Sequence, residues 1–137
     1  MAHYAFINED NIVVEVIAGI DETDTENLPE GFSSWEEWYG NFKGLTCKRT
    51  SYNTIGNQHT NGGTPFRGNY GSELSIYDAV NDVFYEEQPF PSWTVSADTN
   101  WLWKAPLEKP DTENVYDWNE DVYQQDNTTG WILVQQI

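Results

Sequence analysis

The chain has 137 residues, a length that suits one domain or one domain with a small appendage. Its 23 acidic residues against six basic ones give a formal net charge of −17, and such a surface repels nucleic-acid phosphates and anionic membranes. The single cysteine, Cys47, excludes an intramolecular disulfide, and no signal peptide is visible, so we expect a soluble protein made in the cytoplasm.

The first forty residues predict a β-hairpin followed by a short helix. Residues 3–7 and 12–17 are rich in β-branched and aromatic side chains, and the turn-forming segment 8–11 joins them. After an acidic loop at 21–31, the segment 33–40 combines a serine N-cap, early glutamates and a terminal glycine, which predicts one or two helical turns. Three aromatic side chains are expected on one face of this helix: Trp35, Trp38 and Tyr39.

The segment 43–71 is the unusual part of the chain. Residues 45–52 predict a strand, and 53–71 form a long Gly-rich loop without clear periodicity, of the kind that is often functional or becomes ordered on a partner. Four of the six basic residues fall between positions 43 and 67, so we expect this segment to dock on a partner. The candidate partner-binding residues are Lys48, Arg49, Tyr52, His59, Arg67 and Tyr70.

The C-terminal half predicts three successive β-hairpins, at 76–85, 94–103 and 115–123. In each of them two short strands flank an Asn/Asp turn, and prolines separate one unit from the next. An ordinary β-meander would explain the same punctuation. The final strand, 131–134, is expected to pair with 122–125.

Together these elements predict a mainly β fold: a small antiparallel sheet or sandwich built from hairpins, with one short helix and a long Gly-rich loop. Seven Trp, eight Tyr and six Phe residues predict a core of aromatic rings, which suits sheets better than helices. A division into 1–75 and 76–137 separates the first hairpin, helix and Gly-rich loop from the aromatic hairpins, although the two parts can also form one compact domain.

The sequence offers little support for catalysis or for a cofactor. A nucleophilic pair of Cys47 and His59 is conceivable, but no motif surrounds it, and a cysteine in mid-strand is more often structural. Residues 117–121 match the first half of a calcium-binding EF-hand loop, yet Val122 and Thr128 stand where that loop needs glycine and glutamate. We therefore expect no catalytic residue, no metal, no cofactor and no enzyme activity. A glycan-cleaving enzyme with two carboxylates in one cleft is the alternative.

The tryptophans of the C-terminal half suggest a possible sugar-binding surface. A flat row of exposed rings can stack on sugars, whereas buried rings form the core of a small sheet. The candidate aromatic platform consists of Trp93, Trp101, Trp103 and Trp118, with Trp131 as a further ring. Three or more coplanar, solvent-facing rings would support carbohydrate binding.

Three stretches of the chain are distinctive in sequence: 49–54 (Arg-Thr-Ser-Tyr-Asn-Thr), 62–70 (Gly-Gly-Thr-Pro-Phe-Arg-Gly-Asn-Tyr) and 88–93 (Gln-Pro-Phe-Pro-Ser-Trp). Together with the opening 1–5 and the strand at 11–13, they resemble a family of small proteins of marine phages, especially phages that infect cyanobacteria. The resemblance covers most of the chain. It departs at the C-terminus, which is longer than usual and carries the additional segment 119–130. The resemblance implies a virion-associated structural role and brings no catalytic residues.

We therefore expect an accessory structural protein of a bacteriophage virion, located in the particle after synthesis in the host cytoplasm. Its partners would be other virion proteins, with a capsid decoration (cement) role favoured over a tail or fibre role, and many copies or a homo-oligomer would be present. The Gly-rich loop, with Lys48, Arg49 and Arg67, and the N-terminal strands would dock on the partner. A carbohydrate-binding module for host attachment is the alternative. No nucleic acid and no membrane is expected as a partner.

Overall fold

The computed structural model describes residues 2–135 and divides the chain into two compact units. The first unit consists of Met1–Glu87 and Ser96–Leu102, and the second of Gln88–Val95 and Trp103–Ile137. The described part is mainly β, with small antiparallel sheets and one helix of seven or more residues, which confirms the predicted fold class. The boundary that we placed between residues 75 and 76 falls inside the first unit.

A three-stranded antiparallel sheet forms the centre of the first unit. Its strands are β1 (Ala2–Ile7), β2 (Val13–Gly19) and β3 (Thr46–Thr50), in the order β2-β1-β3. The predicted N-terminal hairpin and the strand after the helix are thereby confirmed. The turn is closed by Asn8, whose Oδ1 accepts hydrogen bonds from the backbone N–H groups of residues 10 and 12.

The central strand β1 is covered on both faces, because its alternating side chains enter two different clusters. Tyr4 and Phe6 pack with Cys47 and with the helix α1 (Trp35–Lys43) on one face. Ala5 and Ile7 face the opposite way, in a cluster with Val13, Tyr77 and Phe84. Tyr77 and Phe84 belong to the hairpin of β6 (Ile76–Asp78) and β7 (Val83–Tyr85), so the sheet lies between a helix and a hairpin.

The helix α1 begins where the sequence predicted and ends later. The N-cap Ser34 accepts a hydrogen bond from the Glu37 backbone N–H at 3.0 Å. We expected the helix to stop at Gly40, but it runs on to Lys43 and is capped by Gly44 in the left-handed conformation, with φ of 71°. Gly40 is needed inside the helix for a different reason: a Cβ there would lie 2.9 Å from the carbonyl oxygen of Leu45, at the approach to β3.

The Gly-rich segment 53–71 is ordered by contacts within the first unit. It contains a small hairpin of β4 (Thr54–Ile55) and β5 (Gln58–His59). The Asn69 side chain ties it together, because its Oδ1 accepts from the Gly56 N–H at 2.7 Å and its Nδ2 donates to the carbonyl oxygens of Phe84 and Trp101. Our prediction of a long, irregular loop therefore holds for only part of this segment.

The second unit consists of one antiparallel pair of strands and a cluster of tryptophans. Strand β8 (Val115–Trp118) pairs antiparallel with β9 (Trp131–Gln135), and the short helix α2 (Glu120–Gln125) lies between them. Trp93, Trp118 and Trp131 contact one another, with ring centroids 5.2–6.1 Å apart. The aromatic core that the composition predicted is thus found in this unit.

Of the three predicted hairpins, the first is confirmed and the other two are wrong. The confirmed hairpin is that of β6 and β7. In the second, a 3-10 helix at Ala97–Thr99 replaces the turn, and pairing is reduced to one bridge between Thr94 and Lys104. In the third, residues 120–125 are helical, so β9 pairs with β8 instead of 122–125. The helix wins because Asn119 caps it and two acidic residues occupy its first turn, where the helix dipole favours negative charge.

The close approach of Gly71 to Phe84 yields a stability test. An added Cβ at Gly71 would lie 2.5 Å from a ring carbon of the fully buried Phe84, which has no space to move. We expect Gly71→Ala to lower the free energy of unfolding by about 1–3 kcal/mol, as overpacking does. The measurement is urea denaturation, with the exposed neighbour substitution Glu73→Ala as control. Equal stability of the two variants would contradict the packing that we describe.

Candidate functional site

Two of the four basic side chains of segment 43–67, Lys48 and Arg67, pair with Glu36 on the helix α1. Arg67 Nη1 lies 2.8 Å from Glu36 Oε2 and donates a second hydrogen bond, of 2.9 Å, to the backbone oxygen of Arg49. Lys48 Nζ lies 3.8 Å from Glu36 Oε1. The Arg67 Nε is 2.9 Å from Asp82 Oδ1, an ion pair without hydrogen-bond alignment.

This ion-pair cluster is largely shielded from water. The side chains of Arg67 and Glu36 are only 14% and 20% exposed, so neither charge is tolerable without the other. Burial acts to lower the pKa of Arg67, but Glu36 and Asp82 outweigh it and hold that pKa above its ordinary value. Arg67 also has a left-handed backbone, with φ of 52°, and its carbonyl oxygen accepts from the Phe84 N–H.

The predicted basic docking surface therefore needs correction. Lys48 and Arg67 are engaged with Glu36 inside the first unit, and Lys43 pairs with Glu15 at 2.7 Å. Arg49 places its guanidinium 4.3 Å from the centroid of the Phe66 ring. The sequence showed four clustered cations, but it could not show that the long-range partners of three of them are carboxylates of the same chain.

Two other predicted residues, Tyr52 and Tyr70, do come together, and they are joined by His3. We call these three side chains the aromatic patch. The His3 ring stacks on Tyr52, with centroids 5.7 Å apart and an interplanar angle of 27°. Tyr70 meets both rings edge-on, at 6.0 Å from His3 and 6.2 Å from Tyr52. Tyr52 is 66% exposed, so the patch opens to solvent.

His3 is the member that sequence reasoning missed. Its position follows from the register of β1 and β3, in which His3 lies opposite Thr50, two residues before Tyr52. The alternation of side chains along the first strand indicates which residues share a face with His3. It cannot show which other strand pairs with β1. The Nδ1 of His59, in contrast, accepts hydrogen bonds from the backbone N–H groups of Asn61 and Gly63, so this side chain shapes a local turn.

The predicted tryptophan platform is not a flat surface. Trp93 and Trp131 are inclined to the Trp118 ring by 78° and 73°, and Trp118 is buried. Trp101 belongs to the first unit, where it stacks on Tyr85, and Trp103 is half-buried in the second. The alternative of a coplanar row is therefore not found among Trp93, Trp118 and Trp131, because packing these rings edge to face fills the core of a very small unit.

The residues that were candidates for catalysis or calcium binding have structural roles. Burial raises the pKa of the Cys47 thiol to about 12, with a smaller contribution from Glu36, so the thiol is protonated at neutral pH. In the partial EF-hand sequence, Asn119 caps α2 and Glu120 accepts hydrogen bonds from Ser92 and Trp118. Over residues 2–135 no group of three or more His, Cys, Asp or Glu side chains is placed to hold a metal ion.

Comparisons with protein-family models, with curated proteins and with solved structures find no match for the chain. Within the described residues, no helix is both long enough and apolar enough to cross a membrane.

The Arg67–Glu36 pair can be tested by removing one charge. Arg67→Met leaves Asp82 without its cation and Glu36 with Lys48 alone, at 3.8 Å, and we expect it to lower the free energy of unfolding by about 2–3 kcal/mol, less than for a fully buried pair because Asp82 is exposed. Lys43→Met, which breaks the exposed pair with Glu15, should cost about 0–1 kcal/mol. Denaturation of Arg67→Met, Glu36→Gln and Arg67→Met/Glu36→Gln completes a double-mutant cycle, and the double variant should be more stable than the sum of the two single effects predicts. An additive double variant would contradict the pairing.

Asp78, the last residue of β6, yields a test by pH. Burial acts to raise its pKa, but hydrogen bonds from Asn81, Tyr85 and Val80 outweigh it, so the pKa of the folded carboxyl lies below its usual range. Its contribution to stability is then complete above the unfolded pKa of about 3.9 and is lost as the pH falls through the folded pKa. Urea unfolding from pH 7 to pH 2 should show this loss for the wild type and a smaller one for Asp78→Asn. The exposed Asp10→Asn should behave as the wild type does.

Proposed function

We propose that this chain is a non-enzymatic accessory structural protein of a bacteriophage virion that binds other virion proteins. A capsid decoration role is favoured over a role in the tail or fibre. The first support is the resemblance of stretches 49–54, 62–70 and 88–93 to small marine-phage proteins. Two of these stretches supply Tyr52, Arg67 and Tyr70, so the residues that carry the resemblance also build the ion-pair cluster and the aromatic patch.

The exposed aromatic patch is the observation on which a binding role depends most. Tyrosine side chains bury a large area at little cost in conformational entropy and are enriched among the residues that dominate protein–protein affinity. Tyr52 is 66% exposed and lies beside two further rings, so a partner that covers the patch would bury aromatic surface. The patch therefore has the composition of a contact site.

The backbone beneath the patch is fixed before any partner binds. Thr50 is buried, and its Oγ1 accepts a hydrogen bond of 2.7 Å from the Gly71 N–H. The Tyr70 N–H donates to the Thr54 oxygen at 2.8 Å. These two bonds bracket Tyr52 and Tyr70, so little ordering entropy remains to be lost on binding.

The charge distribution also fits a particle-surface role. Three of the chain's six cations are paired with its own carboxylates, which leaves an excess of acidic groups outside. Such a surface keeps many copies apart in solution and accelerates encounter with a basic partner surface. An anionic exterior is tolerable on the outer face of a DNA-filled shell, where the protein meets coat protein and solvent instead of nucleic acid.

The test is to add purified protein to phage particles that lack it and to image where density returns. Regular density over the capsid lattice is the expected result. Tyr52→Ala should weaken binding about 10- to 30-fold, because it removes the most exposed ring of the patch, whereas Val80→Ala, a change at an exposed apolar residue outside it, should bind as the wild type does.

Other outcomes would redirect the assignment. Density confined to the tail would replace decoration by a tail or fibre role. Absence of density on every particle would contradict the virion proposal. Binding to host-surface glycans in that case would favour the carbohydrate-binding alternative.

A further inference from the structure

The small sheet of the second unit carries an unusual amount of exposed apolar surface. Three consecutive residues of β9, Ile132, Leu133 and Val134, are 41%, 52% and 57% exposed. Val115, on β8, is exposed as well. Single exposed apolar residues are ordinary on protein surfaces, but Ile132 and Val134 are two residues apart on one strand and therefore lie side by side on the same face, where they form an apolar strip.

The register of the ladder separates this strip from the core of the unit. Trp118 lies opposite Trp131, and these two side chains pack into the tryptophan cluster. The next pair, Asp117 and Ile132, points to the other face because side chains alternate along a strand. Val134 shares that face, which leaves one side of the sheet without apolar cover.

The outer edge of β9 is also open. The sheet has the order β8-β9, so among residues 2–135 no strand pairs with the second edge of Trp131–Gln135. This strand holds β-favouring side chains and has no charge and no proline. Natural proteins usually protect such edges with lysine, proline or a covering segment, because an open apolar edge recruits other strands.

The charges around the strip indicate what kind of strand fits. From residue 110 to the end, the sequence has no Lys, Arg or His. The preceding residue, Lys109, places its Nζ 5.2 Å from the centroid of the Trp131 ring, which belongs to the tryptophan cluster and not to the uncovered face. The acidic residues from 110 to the end are Asp111, Glu113, Asp117, Glu120, Asp121 and Asp126. Asp117 lies on the uncovered face itself, and Glu113 is exposed just before β8. A second copy would bring the same acids face to face, whereas a basic partner would neutralise them.

We propose that β9 accepts an extended segment of another protein as an added strand, and that this segment alternates apolar residues and carries lysine or arginine at its ends. Backbone hydrogen bonds along the open edge would provide affinity, and contact with Ile132 and Val134 would select the apolar side chains. Glu113 and Asp117 lie on the β8 side of β9, about 10 Å from an added strand, so they would attract the basic ends across β9. This surface lies in the second unit and is distinct from the aromatic patch, so the inference does not require the virion role.

The experiment uses the full chain and a synthetic peptide in which valine and threonine alternate between terminal lysines. Amide NMR shifts should change at residues 131–135, and the affinity should fall as salt is added. The same peptide with terminal glutamates should bind at least about tenfold more weakly. Ile132→Lys/Val134→Lys should reduce binding of the lysine peptide to a similar extent, and Val80→Lys, at a residue 94% exposed in the first unit, should not.

Three outcomes would overturn the proposal. If neither peptide shifted the amide signals of residues 131–135, β9 would not be a binding edge. If both peptides bound with equal affinity, the partner would not need basic ends. Concentration-dependent dimers that Ile132→Lys/Val134→Lys abolishes would make a second copy the occupant. The comparison of the two peptides uses the wild-type chain, so it stands even if the double variant does not fold.

Imaging of phage particles separates this inference from the virion proposal. If particles bind the wild type and Ile132→Lys/Val134→Lys equally, the virion role stands and the β9 inference fails as the route of docking. If the lysine peptide binds β9 while no particle binds the protein, the β9 inference stands and the virion role fails.

Discussion

The two-sided burial of β1 is the constraint on which the rest of the first unit depends. A strand with Tyr4 and Phe6 on one face and Ala5 and Ile7 on the other must be covered from both sides, and a three-stranded sheet cannot do this alone. The chain supplies α1 for one face and then has to reach the opposite face to supply the β6–β7 hairpin. The Gly-rich segment 53–71 makes that passage, which explains why it is ordered although it contains little regular structure.

The ion-pair cluster secures the same passage. Glu36 belongs to α1, and Arg67 comes from the Gly-rich segment, while Asp82 lies in the turn before β7. Three parts of the chain that are distant in sequence are thereby joined by one guanidinium, whose five donors suit such a junction. Because Lys48 and Arg67 are both engaged with Glu36, these two cations do not form a separate basic patch.

The two units present different surfaces for contact. The aromatic patch is small and preformed by hydrogen bonds of the backbone beneath it. The open edge of β9 offers backbone donors and acceptors, and its uncovered face is apolar with an acidic border. A compact ring cluster suits a shallow site on a folded partner, and a free edge suits an extended segment.

Local signals in the sequence correctly determined several elements. The turn chemistry of residues 8–11 and the flanking β-branched runs gave the first hairpin, and Ser34 gave the start of α1. These features depend on residues a few positions apart, so a linear pattern contains all the information. The acidic excess and the lone Cys47 likewise follow from composition alone.

The contacts between distant segments were determined only by the tertiary structure. The pairing of Arg67 with Glu36, and the meeting of His3 with Tyr52, depend on which strand lies beside β1 and on how the Gly-rich segment returns. The choice of helix at 120–125 likewise moved β9 to a different partner strand. Propensity and spacing describe each segment by itself, whereas burial of rings and pairing of charges are shared between segments, and it is the shared free energy that selects the fold.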